Sequence, residues 1–202
     1  GGVRAVDGVS FELEAGSILG LIGPNGSGKS VLLYLMSGLT RPDSGTVRID
    51  PEYLSAARTF PDRFGISING PGFLPRLSAI DNLTELAAIR RIASRQSLEQ
   101  TLIDVGLDPG SPKRAGTFSM GMKQKLGLAQ ALIESPDVLL LDEPFNALDL
   151  ESSERISALL KTKLSNGATI VITSHHDSEI DALCDTNFRL HDGQVTTTER
   201  GR

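Results

Sequence analysis

Gly23-Pro24-Asn25-Gly26-Ser27-Gly28-Lys29-Ser30 has the spacing GxxxxGK[ST] and lies between two apolar runs, Ser17-Ile18-Leu19-Gly20-Leu21-Ile22 and Val31-Leu32-Leu33-Tyr34-Leu35-Met36. The first run reads as a buried strand and the second as a helix, the context in which such a loop cradles phosphate. Gly23, Gly26 and Gly28 let the backbone take positive φ and turn its N–H groups inward, and the helix start adds its positive end. On that reading Lys29 reaches the β- and γ-phosphates of a nucleotide and the Ser30 hydroxyl is a Mg²⁺ ligand. A glycine-rich turn that binds nothing is the plainer alternative, and the motifs further along the chain weigh against it.

Upstream of the loop, Val3 to Gly16 alternates apolar and polar residues at Val9, Phe11 and Leu13, which predicts a strand closed by the turn Glu14-Ala15-Gly16. Downstream, Gly38 reads as the end of the first helix, and Arg41-Pro42-Asp43-Ser44-Gly45 as a turn into a strand over Thr46-Val47-Arg48-Ile49. A further strand from Phe64 to Ile68 ends at Asn69-Gly70-Pro71-Gly72. From Ser78 to Gly116 the pattern is helical, with Ser97-Leu98-Glu99-Gln100 as a capping box and Leu102, Ile103 and Leu107 on one face. The segment 73–116 therefore reads as a helical insert in a domain made of 1–72 and 117–202.

Ser119 caps the next helix, with Met122, Leu126, Ala129 and Ile133 on one face. The short apolar run Asp137-Val138-Leu139-Leu140-Leu141-Asp142 has the character of a parallel strand buried on both faces. A helix from Leu150 to Leu164 and a strand from Ala168 to Thr173 continue the alternation, which predicts an α/β fold with a mostly parallel sheet. Phe188 to Leu190 and Gln194 to Thr197, joined at Asp192-Gly193, predict a terminal hairpin.

The chain has 202 residues, enough for one sizeable core, and a net charge of −5, which argues against nucleic acid as a partner. Cys184 is the single cysteine, so no internal disulfide forms, and a reducing cytoplasm fits. No run approaches the roughly 18 apolar residues of a membrane span, so a membrane role comes through a partner.

Hydrolysis needs more than a cradle. Asp142 ends a core strand on the sheet edge from which the phosphate loop emerges, where it can meet Mg²⁺ beside Ser30. Glu143, one step on, is placed to take a proton from an attacking water. At the end of the next core strand His175, preferred over His176 for its nearness to the strand, is placed to donate to a γ-phosphate. The plainer alternatives are an acidic turn at Asp142-Glu143-Pro144 and a surface histidine. Asn146-Ala147-Leu148-Asp149 looks like the guanine-recognition element of GTPases, but Ala147 stands where those proteins carry lysine.

Together these motifs resemble the nucleotide-binding domain of ATP-binding cassette (ABC) transporters, over nearly the whole chain. The order carries the resemblance: the phosphate loop, Phe118-Ser119-Met120-Gly121-Met122 as the family signature, then Asp142-Glu143, Asp149 and His175. It implies a P-loop NTPase core with an N-terminal antiparallel β part and the inserted helical subdomain. It further implies a Mg²⁺-dependent ATPase that pairs head to tail with a second such domain, identical or not, enclosing two ATP molecules. Gly23 to Ser30 and Val31 would hold the nucleotide, with Asn69 near Mg²⁺. Ser119 and Gly121 would reach the γ-phosphate held by the other copy, and Asp149 would make a contact across the interface. The helical insert would dock on a separate transmembrane permease, placing the chain in the cytoplasm on the inner face of the membrane. The Ser-Met-Gly-Met-Lys form and the upstream Asn-Gly-Pro-Gly-Phe-Leu-Pro look most like exporters of the bacterial drug, antibiotic-resistance and lantibiotic-immunity kind. A soluble nucleotide switch outside any transporter is the alternative. The short interval between phosphate loop and signature, without sustained heptads, weighs against its coiled-coil relatives.

Four positions depart from the family. Asn69 stands where Gln is usual, Met120 and Met122 replace the signature's second glycine and its glutamine, and Val31 replaces a hydroxyl residue. The aromatic that stacks on adenine would precede Gly1, and the chain opens without Met, so a first strand carrying that aromatic is expected ahead of it. Because Lys29, Asp142, Glu143 and His175 are all present, slower or altered turnover is expected, not an inactive domain.

Overall fold

A computed structural model describes residues 4–91, 93–176, 180 and 183–200. Its sheet comprises β1 (Ile18–Ile22), β2 (Phe64–Ser67), β3 (Val138–Leu141), β4 (Thr169–Ser174), β5 (Thr186–His191) and β6 (Gln194–Arg200). They lie in the order β2-β3-β4-β1-β5-β6, with every neighbouring pair parallel except β5 and β6. The helices are α1 (Lys29–Met36), α2 (Ala79–Arg90), α3 (Arg95–Asp104), α4 (Met120–Leu132) and α5 (Leu150–Ser165).

The apolar runs have a simple cause: both faces of the sheet are covered. On β1, Ile18 and Ile22 point into one core with Leu139, Leu141, Ile170 and Ile172. Leu19 and Leu21 point into a second with Leu140, Val171 and, from α1, Leu32 and Leu33. Leu83 of α2, Leu98 and Leu102 of α3, Leu126 of α4 and Ile156 of α5 join the first core, so the helical insert packs into the same apolar mass as the sheet.

Side-chain caps start four of the helices. Ser78, Ser94, Ser119 and Asp149 accept the amides of Asp81, Ser97, Met122 and Ser152, satisfying N–H groups that a helix start leaves orphaned. The cap at Ser119 and the face Met122, Leu126, Ala129, Ile133 are as the sequence predicts. So is the terminal hairpin, whose turn residues Asp192 and Gly193 have φ of 48° and 78°.

Three local expectations fail. The strands expected over 3–16 and 46–49 are absent from the described residues, and with them the N-terminal antiparallel part; the antiparallel pair here is β5 with β6. Val9, Phe11 and Leu13 do pack on the second core, and Phe11 meets the Phe188 ring edge-on at 5.2 Å. Alternation records which face is buried, whereas a strand also needs a neighbour about 4.8 Å away to complete its ladder. Val47 is itself 44% exposed, so the 46–49 stretch buries little. The helix expected to begin at Ser97 begins one turn earlier, because Ser94 caps it and the Ser97 hydroxyl donates back to the Ser94 carbonyl. Ile103, expected on the inner face with Leu102, is 49% exposed; Leu98 and Leu102, four apart, form that face instead.

The fold's consequence for chemistry lies in its registers. Gly20 of β1 and Leu141 of β3 both stand opposite Ile172 of β4, so Gly23, Asp142 and His175 leave the sheet at one edge. Open α/β sheets bind ligands at this carboxyl edge.

Candidate functional site: a phosphate cleft and an exposed patch

At the carboxyl edge of β1 the Gly23 amide donates to the Ser174 carbonyl at 3.1 Å, anchoring the loop before it turns. Gly28 closes the loop at φ 104°, and a Cβ there would lie 2.3 Å from the Ala5 carbonyl oxygen, so only glycine fits. α1 starts immediately after it with Lys29, whose side chain is 5% exposed. The ammonium donates to the carbonyls of Gly23 at 2.6 Å and Pro24 at 3.2 Å and stands 3.8 Å from Glu143 Oε1.

Asp142 is the hub. Its Oδ2 accepts the Ser30 hydroxyl at 2.7 Å and its Oδ1 accepts the Thr173 hydroxyl at 2.6 Å. Thr173 in turn accepts the Glu143 amide at 2.9 Å, while Gln124 of α4 donates through Nε2 to the Glu143 carbonyl at 3.0 Å. Those two bonds grip a residue whose φ of 49° is unfavourable for a side chain of its kind. The Glu143 carboxylate faces both Lys29 and His175, with its Oε1 3.3 Å from His175 Nδ1.

Gly28, Lys29, Ser30, Gln124, Asp142 and Glu143 line a cleft of about 390 Å³ that also takes in Asn25, Gly26, Val31 and Asn69. Thr173 and His175 are not in its lining and meet it through Asp142 and Glu143. Asn69 sits in the left-handed region, φ 59°, with its amide 3.4 Å from Asp142 Oδ2 and its side chain donating to the Tyr34 hydroxyl at 2.8 Å. The short side chain thus meets α1. Pro24 and Ser27 complete the loop, the Ser27 hydroxyl being buried with no hydrogen-bond partner.

Ser119, Gly121 and Asp149 do not line the cleft. Ser119 and Asp149 serve as caps of α4 and α5, and both are exposed. Ser152, through its side chain first and its amide second, holds the Asp149 carboxyl below the usual carboxylate range. Gly121 lies against the loop that follows Glu143: a Cβ there would be 2.8 Å from the Ala147 carbonyl oxygen. Met120 and Leu150, the first residues of the two helices, are 69% and 76% exposed.

The sequence reading assigned no task to Thr173, Gln124 or Tyr34. Thr173 left a trace, a hydroxyl directly after the apolar run Ile170-Val171-Ile172 of a core strand. Tyr34 stands four residues after Ser30, on the same helix face. Gln124 left none that spacing alone would single out.

Residues 6–146 match the family model described as ABC transporter. The chain belongs to this family. It is 40% identical to the uncharacterized ABC transporter ATP-binding protein YybJ of Bacillus subtilis, over 96% of this chain and 89% of that protein. The bacitracin transport ATP-binding protein BcrA of Enterococcus faecalis is 38% identical over 96% of this chain and 64% of its own length. Nod factor export ATP-binding protein I of Burkholderia lata is 35% identical over 94% and 64%. This chain therefore spans about two thirds of the length of these last two relatives. The solved dimer of the ATP-binding cassette MJ0796, in a post-hydrolysis state bound to ADP and Pi, superposes with a TM-score of 0.86 at 27% identity, over 98% of this chain and 91% of that one. The present ABC domain is thus an ATP-binding ATPase domain with the cassette fold. Among its described residues no helix is long and apolar enough to cross a membrane.

Proposed function

We propose that this ABC domain powers an exporter by closing on ATP together with a second such domain, and that the cleft residues perform the hydrolysis. The carrying observation is the placement of one carboxylate oxygen, Glu143 Oε1, within 3.8 Å of the Lys29 ammonium and 3.3 Å of His175 Nδ1, beside the Ser30–Asp142 pair.

Each side chain then has a task. The loop amides from Asn25 to Val31 cradle the phosphates, the Gly23 amide being held by Ser174, and Lys29 exchanges the carbonyls of Gly23 and Pro24 for phosphate oxygens. Ser30 and Asp142 offer a hydroxyl and a carboxylate 2.7 Å apart, an oxygen set suited to Mg²⁺. Bound there, Mg²⁺ supplies charge neutralisation on the phosphates. Glu143, held by Thr173 and Gln124, takes the proton of the attacking water, and His175 donates to the γ-phosphate.

Ser119 and the half-buried Gly121 meet the other copy's nucleotide, and the exposed Asp149 makes a contact across the interface. The helical insert, 73–116, docks on a separate transmembrane permease, so the chain works at the inner face of the membrane. Similarity to bacitracin transport and Nod factor export proteins supports export. Glu143→Gln tests the assignment: hydrolysis is expected to fall by about 10² to 10⁴ while ATP binding survives. Hydrolysis at the parent rate would remove Glu143 from this role.

A further inference from the structure

Ser30 and Tyr34 lie one turn apart on α1, and each reaches a different partner at the mouth of the cleft. Ser30 donates to Asp142 Oδ2 at 2.7 Å, the oxygen that also lies 3.4 Å from the Asn69 amide. Asn69 returns to α1 through its side chain, donating to the Tyr34 hydroxyl at 2.8 Å. The four residues thus close a ring: helix, carboxylate, linker and helix again.

Asn69 is an exposed residue at the start of the linker that leaves β2 for the helical insert, in a backbone conformation asparagine tolerates better than most. An exposed amide side chain on such a turn would ordinarily sample several rotamers. Here the phenol takes one of the two Nδ2 hydrogens, and Oδ1 is the atom the side chain can offer to a cation in the cleft.

We propose that Tyr34 is a positioning residue: its hydroxyl holds the Asn69 side chain at the cleft mouth beside Asp142, and so ties the linker of the helical insert to the phosphate-loop helix. This inference rests on the catalytic reading of the cleft given above. The phenol supplies from α1 the placement that a short amide lacks by its own length. The same bond gives the insert a direct mechanical connection to the helix whose first residues hold phosphate.

The test is a double-mutant cycle in the full chain, with Tyr34→Phe, Asn69→Gly and both together, reading kcat and KM for Mg-ATP hydrolysis. Glycine removes the side chain without straining a left-handed position. Amide hydrogen exchange of residues 69–74 in nucleotide-free protein gives a readout independent of turnover. Tyr34→Phe is expected to lower kcat roughly threefold to tenfold, the size of one lost neutral hydrogen bond, with KM unchanged and faster exchange in the linker. In the Asn69→Gly background the same change should alter neither quantity. Equal losses in both backgrounds, or an indifferent kcat and exchange in the parent background, overturn the inference and leave the catalytic reading standing. A parent chain that binds ATP without hydrolysing it overturns that underlying reading, and the positioning role with it.

Discussion

The phosphate cleft and the patch around Ser119 are built on opposite plans. In the cleft, functional side chains already engage one another: Ser30 and Thr173 on Asp142, Lys29 and His175 about Glu143, Asn69 on Tyr34. At the patch Ser119 and Asp149 accept amides of their own helices, Asp149 also meeting the Ser152 side chain, and Met120 and Leu150 stand largely in solvent. A site that needs fixed geometry for chemistry is pre-organised by its own chain. On the proposed assignment the patch acts on another molecule, and Ser119, Asp149 and two apolar side chains stand outward there.

The strongest way to break that contrast is complementation. Lys29→Ala and Ser119→Arg, made in separate chains, should each lose hydrolysis by about 10² or more. Mixed together, they should regain roughly a quarter of the parent rate, because half the dimers are hybrids and each hybrid keeps one intact site. A mixture as inactive as its components would mean that cleft and patch do not meet across an interface. Thr173→Val sharpens the cleft's side. It removes one hydroxyl that serves both Asp142 and the Glu143 amide, so stability should drop by about 1 to 3 kcal/mol in denaturant titration, with a lower kcat.

A smaller effect probes the patch. The folded value of Asp149 lies below its ordinary 3.8, so the stabilisation it gives is present above that pH and is lost as acid carries the solution through the lower folded value. Asp149→Asn keeps a capping side chain without a titratable group. The parent should therefore lose more melting temperature than the variant between pH 5 and pH 3. Parallel acid profiles would show that the carboxylate's charge contributes nothing to the start of α5.

Much of this was legible in the linear chain because the causes are local. Glycines at fixed spacing, a serine or aspartate just ahead of a helix, and apolar runs buried on both faces leave marks that need no tertiary knowledge. The failures share a cause as well. Val9, Phe11 and Leu13 do face the core, but whether another strand lies alongside is a fact about distant residues, and the described ones provide none. Ser97 has the Gln three places on that completes a capping box and Ser94 does not, yet the Ser94 hydroxyl is the one that accepts an amide at the helix start.

What the sequence determined by itself is the cradle, the order of strands and helices around it, and the identity of the acids that follow the core strands, since each is written in neighbouring residues. Only the tertiary structure decided that Asp142 joins Ser30 to Thr173, that Glu143 faces Lys29 and His175, and that Asn69 leans on Tyr34. Those pairings depend on the registers among β1, β2, β3 and β4, which bring to one edge residues from 31 to more than a hundred positions apart, and no local pattern records a register.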